Sequence, residues 1–314
     1  MICKNSYKFI FLALIISTIL ISCATTVKVE FEHPPLVDMR AMETVTVIPL
    51  EWKDNERYNF LAGDLTKALI KGVKSSKYYK FVDPSILKNI DKSEYWKYVD
   101  VYIDAKIFKI DDEINNEKTD EKEYTVRTVT VVILYEYISA IDYKVLGSFS
   151  KETQASEKNV LSKDSIITGV VNFLVTGKTL SDRLAIKAVQ NIPLQMKYDL
   201  NSYKTTEERT ILQSKSKNPL FKEAEKLVRQ KKYNDALLLY EKIYNETGST
   251  VACYNMALLL EADNKFTEAL ALLEDFDIKL SNKDINTPSL ITKEIKKLKL
   301  IISDLSKIED YENK

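Results

Sequence analysis

The first half of the chain alternates apolar and polar residues with the period of β-strands. Every second residue from Val99 to Ile107 is apolar, which is typical of a strand with one buried face. A run rich in valine, threonine and tyrosine follows at 124–137, and the turn at 142–144 leads into a further strand at 145–151. We predict that these three segments form an antiparallel meander, in which the acidic stretch 111–123 is an exposed hairpin loop.

A helical period precedes this meander. In residues 58–74, Leu61, Leu65 and further apolar residues recur on one face, which predicts an amphipathic helix. Short β-branched or aromatic runs at 44–50 and 79–82 flank that helix and predict two more strands. The order of these elements indicates a mixed domain of strands and helices.

This succession of elements resembles the small α+β domain of envelope lipoproteins such as the curli secretion channel and the penicillin-binding-protein activator. The residues that carry the resemblance are the strand from Val45 to Leu50, Gly63-Asp64-Leu65 opening a helix, the strand from Tyr79 to Asp83 and the hairpin from Val99 to Lys151. The resemblance implies a small mixed α/β, sandwich-like domain over residues 42–200.

The last third of the chain contains an internal repeat. Residues 217–249 are similar in pattern to residues 250–282, and Ala236 corresponds to Ala269. The pattern resembles the tetratricopeptide repeat, in which small residues let paired helices approach closely and aromatic residues fill the gap between them. The repeated positions are Ala224, Leu227, Tyr233, Ala236, Tyr240 and Ile243 in the first copy and Ala257, Leu260, Phe266, Ala269, Leu273 and Phe276 in the second.

The expected fold class is therefore α+β, with the mixed domain followed by an all-α, tetratricopeptide-like helical domain over residues 217–314. Residues 201–216 are expected to link the two. Because two repeats are fewer than the three that such folds usually need, another segment must cover them. The apolar stripe of residues 181–198 and a terminal helix at 288–310 are the two candidates.

Taken together, Ile192-Pro193, the repeats and Tyr254-Asn255-Met256-Ala257 resemble a family of uncharacterised bacterial lipoproteins that carry a C-terminal repeat pair. The resemblance implies a compartment and an architecture. It implies no activity.

The N-terminus carries a signal for lipid attachment. Lys4 and Lys8 precede an apolar run at 9–21, and Leu20-Ile21-Ser22-Cys23 resembles the lipobox of bacterial lipoproteins. The alternative is a retained transmembrane helix, but the run is shorter than the roughly 20 apolar residues that a span needs. We therefore predict that Cys23 is lipidated.

Lipidation at Cys23 fixes the expected start of the mature protein. Residues 1–22 are predicted to be a cleaved signal peptide, and residues 23–41 an extended lipidated tether. By resemblance to lipoproteins of bacteria with two membranes, Ala24 favours transport to the outer membrane, whereas aspartate there would favour retention in the inner membrane. The expected location is the bacterial cell envelope, at the periplasmic or the outer surface.

Charge and cysteine content limit the classes of partner. Loss of residues 1–22 removes two lysines from the 46 basic residues and none of the 46 acidic ones, so the mature chain has a net charge of about −2. Such a balance disfavours nucleic acid as a partner. With Cys3 removed and Cys23 lipidated, Cys253 is the one thiol left, so we expect it to be buried in a repeat helix and not in an internal disulfide.

The sequence also lacks the residue patterns of common active sites. His33 is the single histidine and precedes the first predicted strand, which disfavours a catalytic triad or a zinc site. No glycine-rich phosphate loop is present, and the acidic pair Asp111-Asp112 lies at an expected hairpin tip instead of across a cleft. We therefore expect no enzymatic activity, no cofactor and no metal.

These observations lead to two functional hypotheses. The first is a non-enzymatic envelope lipoprotein that acts as a scaffold or assembly factor and binds a protein or peptide through its helical repeats. The second is an oligomeric secretion or pore-forming component, a homo-oligomer in which the apolar segment 166–175 enters the membrane. The size of the protein in mild detergent would separate the two. The candidate partner-binding residues, expected to be exposed, are Arg229, Gln230, Asn234, Asn255 and Glu261.

Overall fold

A computed structural model describes residues 25–52, 59–118, 123–160, 178–282 and 288–313. It shows the expected α+β fold. The chain divides into two compact units. The sheet unit comprises residues 34–203 and 309–314, and the helical unit comprises the described residues up to His33 together with residues 204–308.

Seven strands and eight α-helices make up the described residues, together with short 3-10 turns. The strands are β1 (Thr26–His33), β2 (Thr44–Val47), β3 (Lys80–Phe81), β4 (Val101–Lys118), β5 (Glu123–Ser139), β6 (Val145–Val160) and β7 (Tyr203–Thr210). The helices are α1 (Asn59–Lys74), α2 (Leu180–Val189), α3 (Ile192–Leu200), α4 (Pro219–Arg229), α5 (Tyr233–Thr247), α6 (Thr250–Ala262), α7 (Phe266–Ser281) and α8 (Ser289–Glu312).

The sheet unit is built on five strands in the order β3-β2-β4-β5-β6. Strands β4, β5 and β6 form the predicted antiparallel meander, and β2 runs parallel to both β3 and β4. The loop prediction for residues 111–123 was wrong, because paired strands continue from Asp111↔Thr130 to Lys118↔Glu123. The side chains from Asp112 to Glu117 are exposed. The strands still pair there because the hydrogen bonds between them are made by the backbone and need no buried apolar side chains.

Three helices cover one face of this sheet. Leu61, Leu65 and Leu69 of α1 are fully buried there, and a Cβ at Gly72 would lie 2.6 Å from the sulfur of Met196 in α3, so a larger residue would force the Met196 side chain to shift. Residues 181–198, expected to cover the repeats, instead form parts of α2 and α3 in this core. Their apolar side chains pack in the core formed with the buried face of the sheet and so are not available to cover the repeats.

The helical unit contains two helix pairs, α4–α5 and α6–α7, with matching turns. Lys231 and Asn264 occupy the same turn position 33 residues apart and have φ angles of 59° and 60°. The backbone N–H groups of Lys232 and Lys265 donate to carbonyls five residues earlier, each at 2.9 Å. The internal repeat is thus a repeat of local structure, and both Ala236 and Ala269 are fully buried as expected.

A two-stranded sheet of β1 and β7 completes the helical unit. The structure therefore places strands in the stretches expected to be a tether (23–41) and a linker (201–216). Val27, Val29 and Phe31 of β1 enter the helical core, because they alternate with charged residues that face outward. The expected cover by the terminal helix is present, since Ile291 and Leu298 of α8 are buried in the same core.

Within the residues that the structure describes, none of the helices has the length and apolar character required to cross a membrane.

Candidate functional site

Helix α6 lies at the centre of the helical unit and binds the backbone of the chain's own Leu212. The Asn255 side chain accepts a hydrogen bond from the Leu212 N–H at 2.8 Å and donates one to its carbonyl at 2.9 Å. Asn255 is fully buried. Because one amide side chain satisfies both backbone groups of Leu212, it fixes the segment that follows β7 against α6.

A buried charge cluster holds β7 next to this contact. The Arg209 guanidinium lies 3.3 Å from the Glu261 carboxylate of α6 and also binds Glu294 of α8. The Tyr254 hydroxyl donates to Glu294 at 3.4 Å. Burial, and then the nearby charge of Glu294, raise the pKa of Glu261 to about 8, so Glu261 retains a proton through much of the neutral pH range.

The first described residue, Thr25, is held tightly by the helical unit. Its carbonyl accepts from the Ile211 N–H at 2.8 Å, and its hydroxyl accepts from Arg229 Nε at 2.8 Å. Thr25 is only 4% exposed. Ala24 alone separates it from Cys23 in the sequence, so the predicted lipidation site is joined almost directly to the helical unit.

The structure corrects part of the predicted partner surface. Arg229, Gln230 and Asn234 are exposed as expected, but Asn255 and Glu261 are fully buried. The expectation of exposure was wrong for these two because β7 and Leu212, far away in sequence, cover the face of α6 on which they lie. Cys23 and the segment 166–175 lie outside the described residues.

The outer face of α5 carries a different exposed surface, which we call the α5 stripe. It consists of Asn234, Leu238, Glu241 and Asn245, whose spacing places them on one helix face. Leu238 is 63% exposed at the centre of this face. Of these four residues, the sequence pattern predicts only Asn234 as a partner-binding residue. The signal for Leu238 was its position away from the buried stripe of Ala236, Tyr240 and Ile243.

Two further buried groups, Asp199 and Cys253, have structural surroundings. In the sheet unit, the carboxylate of Asp199 accepts from Tyr135 and lies 3.3 Å from Lys151, while burial raises the pKa of Asp199. Cys253 is buried as predicted, and burial raises the pKa of its thiol to about 12, which disfavours the reactive thiolate. Among the described residues, no group of three histidine, cysteine or acidic side chains is arranged to bind a metal ion.

Comparison with protein families gives one match. Residues 222–300 match a family described as a domain of unknown function, DUF6340. This segment begins in α4 and ends in α8, so the match covers the helix pairs. Comparison with curated proteins finds no match.

Several solved structures show partial similarity. They include lipoprotein GNA1162 from Neisseria meningitidis, with 10% identity, a TM-score of 0.20 and coverage of 43% of this chain and 96% of that one. The PelC dodecamer from Paraburkholderia phytofirmans has 12% identity, a TM-score of 0.21 and coverage of 54% and 98%. The hypothetical protein CT253 from Chlamydia trachomatis has 13% identity, a TM-score of 0.23 and coverage of 50% and 98%. At these TM-scores the similarities carry no argument about fold or function.

Proposed function

We propose that the protein is a lipid-anchored protein of the bacterial envelope, attached to the outer membrane, that acts by binding another polypeptide and not by catalysis. The lipobox pattern ending at Cys23 supports the anchored state. The α5 stripe supports the binding role, and the exposure of Leu238 is the observation that carries it.

The α5 stripe surrounds one exposed apolar side chain with polar ones. Burying the exposed leucine under a partner would contribute about 1.5–3 kcal/mol to binding. Asn234 and Asn245 can exchange hydrogen bonds with a partner at the rim without the cost of desolvating a charge. The face of α6 around Asn255 is already filled by the chain itself, so the outer face of α5 is the better candidate for recognition.

Photo-crosslinking in living cells tests this proposal. We expect a photoreactive amino acid at Leu238 to yield a discrete adduct with a second polypeptide, because a partner would bury that position. A matched probe at Leu300 of α8, which is similarly exposed at 69%, should yield none. Immunoblotting detects the adducts, and mass spectrometry identifies their composition.

Three outcomes of this experiment would contradict the proposed role. These are no adduct at either position, equal adducts at both positions, and an adduct at Leu238 that contains only a second copy of this chain. The last of these would favour the oligomeric secretion or pore-forming component. That alternative depends on the segment 166–175, outside the described residues, and the described part of the chain supplies no observation in its favour.

The anchor has a separate test. We expect Cys23→Ser to abolish incorporation of a fatty-acid probe, because the thiol is the group that would be acylated. Metabolic labelling followed by membrane fractionation measures the effect, with Cys253→Ser as the control that retains the label. If the Cys23→Ser protein is still labelled and remains in the membrane fraction, the anchor assignment is wrong.

A further inference from the structure

The helical unit has a strongly basic surface next to the predicted lipid. Residues 215–232 contain seven basic side chains and two acidic ones, whereas the mature chain as a whole is slightly acidic. All seven basic residues are exposed. We call them the basic face; they are Lys215, Lys217, Lys222, Lys226, Arg229, Lys231 and Lys232.

Helix α4 aligns part of the basic face. Lys222, Lys226 and Arg229 recur at a spacing of four and three residues, which places them on one side of the helix. Phe221 and Val228 are buried on another side. The three basic side chains of α4 therefore form a stripe that the packing of the helix holds toward solvent, with Glu225 4.0 Å from the Arg229 guanidinium at one end.

This stripe ends at Arg229, which contacts a residue close in sequence to the predicted lipidation site. Arg229, the last residue of α4, donates to the Thr25 hydroxyl at 2.8 Å. Thr25 is two residues from Cys23, and two residues of chain span at most about 7 Å. Acyl chains on Cys23 would thus bring the membrane surface to within about one Debye length of Arg229.

We propose that the basic face docks on anionic phospholipid headgroups of the membrane in which the acyl chains of Cys23 are inserted. This inference rests on the proposed lipid anchoring. The lipid supplies attachment, and the basic face sets the orientation of the helical unit on the membrane. A run of charges alone would be a solvated surface, but its position beside the anchor and its sign, opposite to that of the headgroups, identify the occupant.

Vesicle flotation tests the basic face without the lipid. The protein is the chain from Ala24 to Lys314, which contains every described residue, and the vesicles are phosphatidylethanolamine with or without phosphatidylglycerol. The test variant is Lys222→Glu/Lys226→Glu/Lys231→Glu. The matched control carries the same charge change at three exposed lysines of α5 and α8, Lys242→Glu/Lys293→Glu/Lys296→Glu.

We expect the wild-type chain and the control to float with phosphatidylglycerol vesicles at low salt and not with vesicles that lack this lipid. The test variant should lose affinity by at least about 100-fold, since each lost cation near an anionic surface costs about fivefold and the three added carboxylates are repelled as well. If charge reversal unfolds the chain, as judged by circular dichroism, the corresponding Lys→Gln variant gives the same comparison with a smaller loss.

Several results would overturn the proposal: no flotation of the wild-type chain, equal flotation of the test variant, or an equal loss in the control. Competition by polyglutamate as effective as that by anionic vesicles would instead assign the basic face to an acidic protein. Because the tested chain carries no lipid, its result is independent of fatty-acid labelling at Cys23. Failure of the anchor and failure of the basic face are therefore distinguishable.

Discussion

Replacing Arg209 with methionine is expected to lower the free energy of unfolding of the helical unit by about 3–5 kcal/mol. Arg209 lies between the carboxylates of Glu261 and Glu294, both of which are buried. Methionine retains the apolar stem but removes the cation, so the buried carboxyl groups of Glu261 and Glu294 both lose the charged donor that they contact. Urea unfolding of the chain from Ala24, followed by far-ultraviolet circular dichroism, measures the loss.

Two further variants test whether the loss of stability comes from the buried charge cluster. Lys299→Met breaks an exposed ion pair with Glu274 on the surface of α8 and should cost at most about 1 kcal/mol. In the Arg209→Met background, Glu261→Gln with Glu294→Gln should restore part of the stability, because no buried charge remains. A loss for Arg209→Met no larger than that for Lys299→Met would refute the structural role of the cluster.

Tryptophan fluorescence shows whether the sheet unit is affected as well. Both tryptophans of the chain, Trp52 and Trp96, lie in the sheet unit, and their fluorescence reports on that unit alone.

The same cluster predicts a pH dependence of stability. The native pKa of Glu261 is about 8, above its ordinary value of 4.5, so the folded chain binds a proton that the unfolded chain releases. This contribution is fully present below about pH 4.5 and is lost as the pH rises toward and through 8. In the Glu261→Gln variant, we expect the free energy of unfolding to decrease less between these pH values. A pH profile equal to that of the wild type would show that the pKa of Glu261 is not raised.

Ala236→Trp and Ala269→Trp are each expected to destabilise the helical unit by about 1–3 kcal/mol or more. Both alanines are fully buried within the helix pairs, where an indole cannot fit without separating the helices. The control is Ala271→Trp, which places the same side chain at an exposed position of α7. Thermal melting monitored by circular dichroism measures the three variants.

The choice of chain matters for this measurement. A fragment that begins at Tyr203 would lack β1, and with it Val27, Val29 and Phe31 of the helical core. The measurement therefore uses the chain from Ala24. Unchanged melting of both buried variants would contradict the packing of the helix pairs, and equal losses in all three would indicate a general effect of tryptophan.

Local structure followed from the sequence where the apolar period is strong, but not at 111–123, β1 or β7. The apolar period predicted α1, the strands of the meander and the two helix pairs, because periodicity reports which face of an element is apolar. It also separated Ala236 and Ala269, which are buried in the helix pairs, from the exposed Arg229, Gln230 and Asn234. The lipobox at Cys23 is likewise a purely local signal.

Which segment covers each face of an element depends on contacts between residues that are distant in the sequence. Asn255 and Glu261 are polar, and no local pattern indicates that they are buried. Their partners, Leu212 and Arg209, lie 43 and 52 residues away along the chain. The same holds for Thr25, whose partner Arg229 is 204 residues distant. A polar side chain can be buried wherever a remote group satisfies its hydrogen bonds, and that condition depends on how distant segments meet. The placement of β1 and β7 on the helical unit, and of residues 181–198 on the sheet, followed from such contacts and not from the period of any one segment.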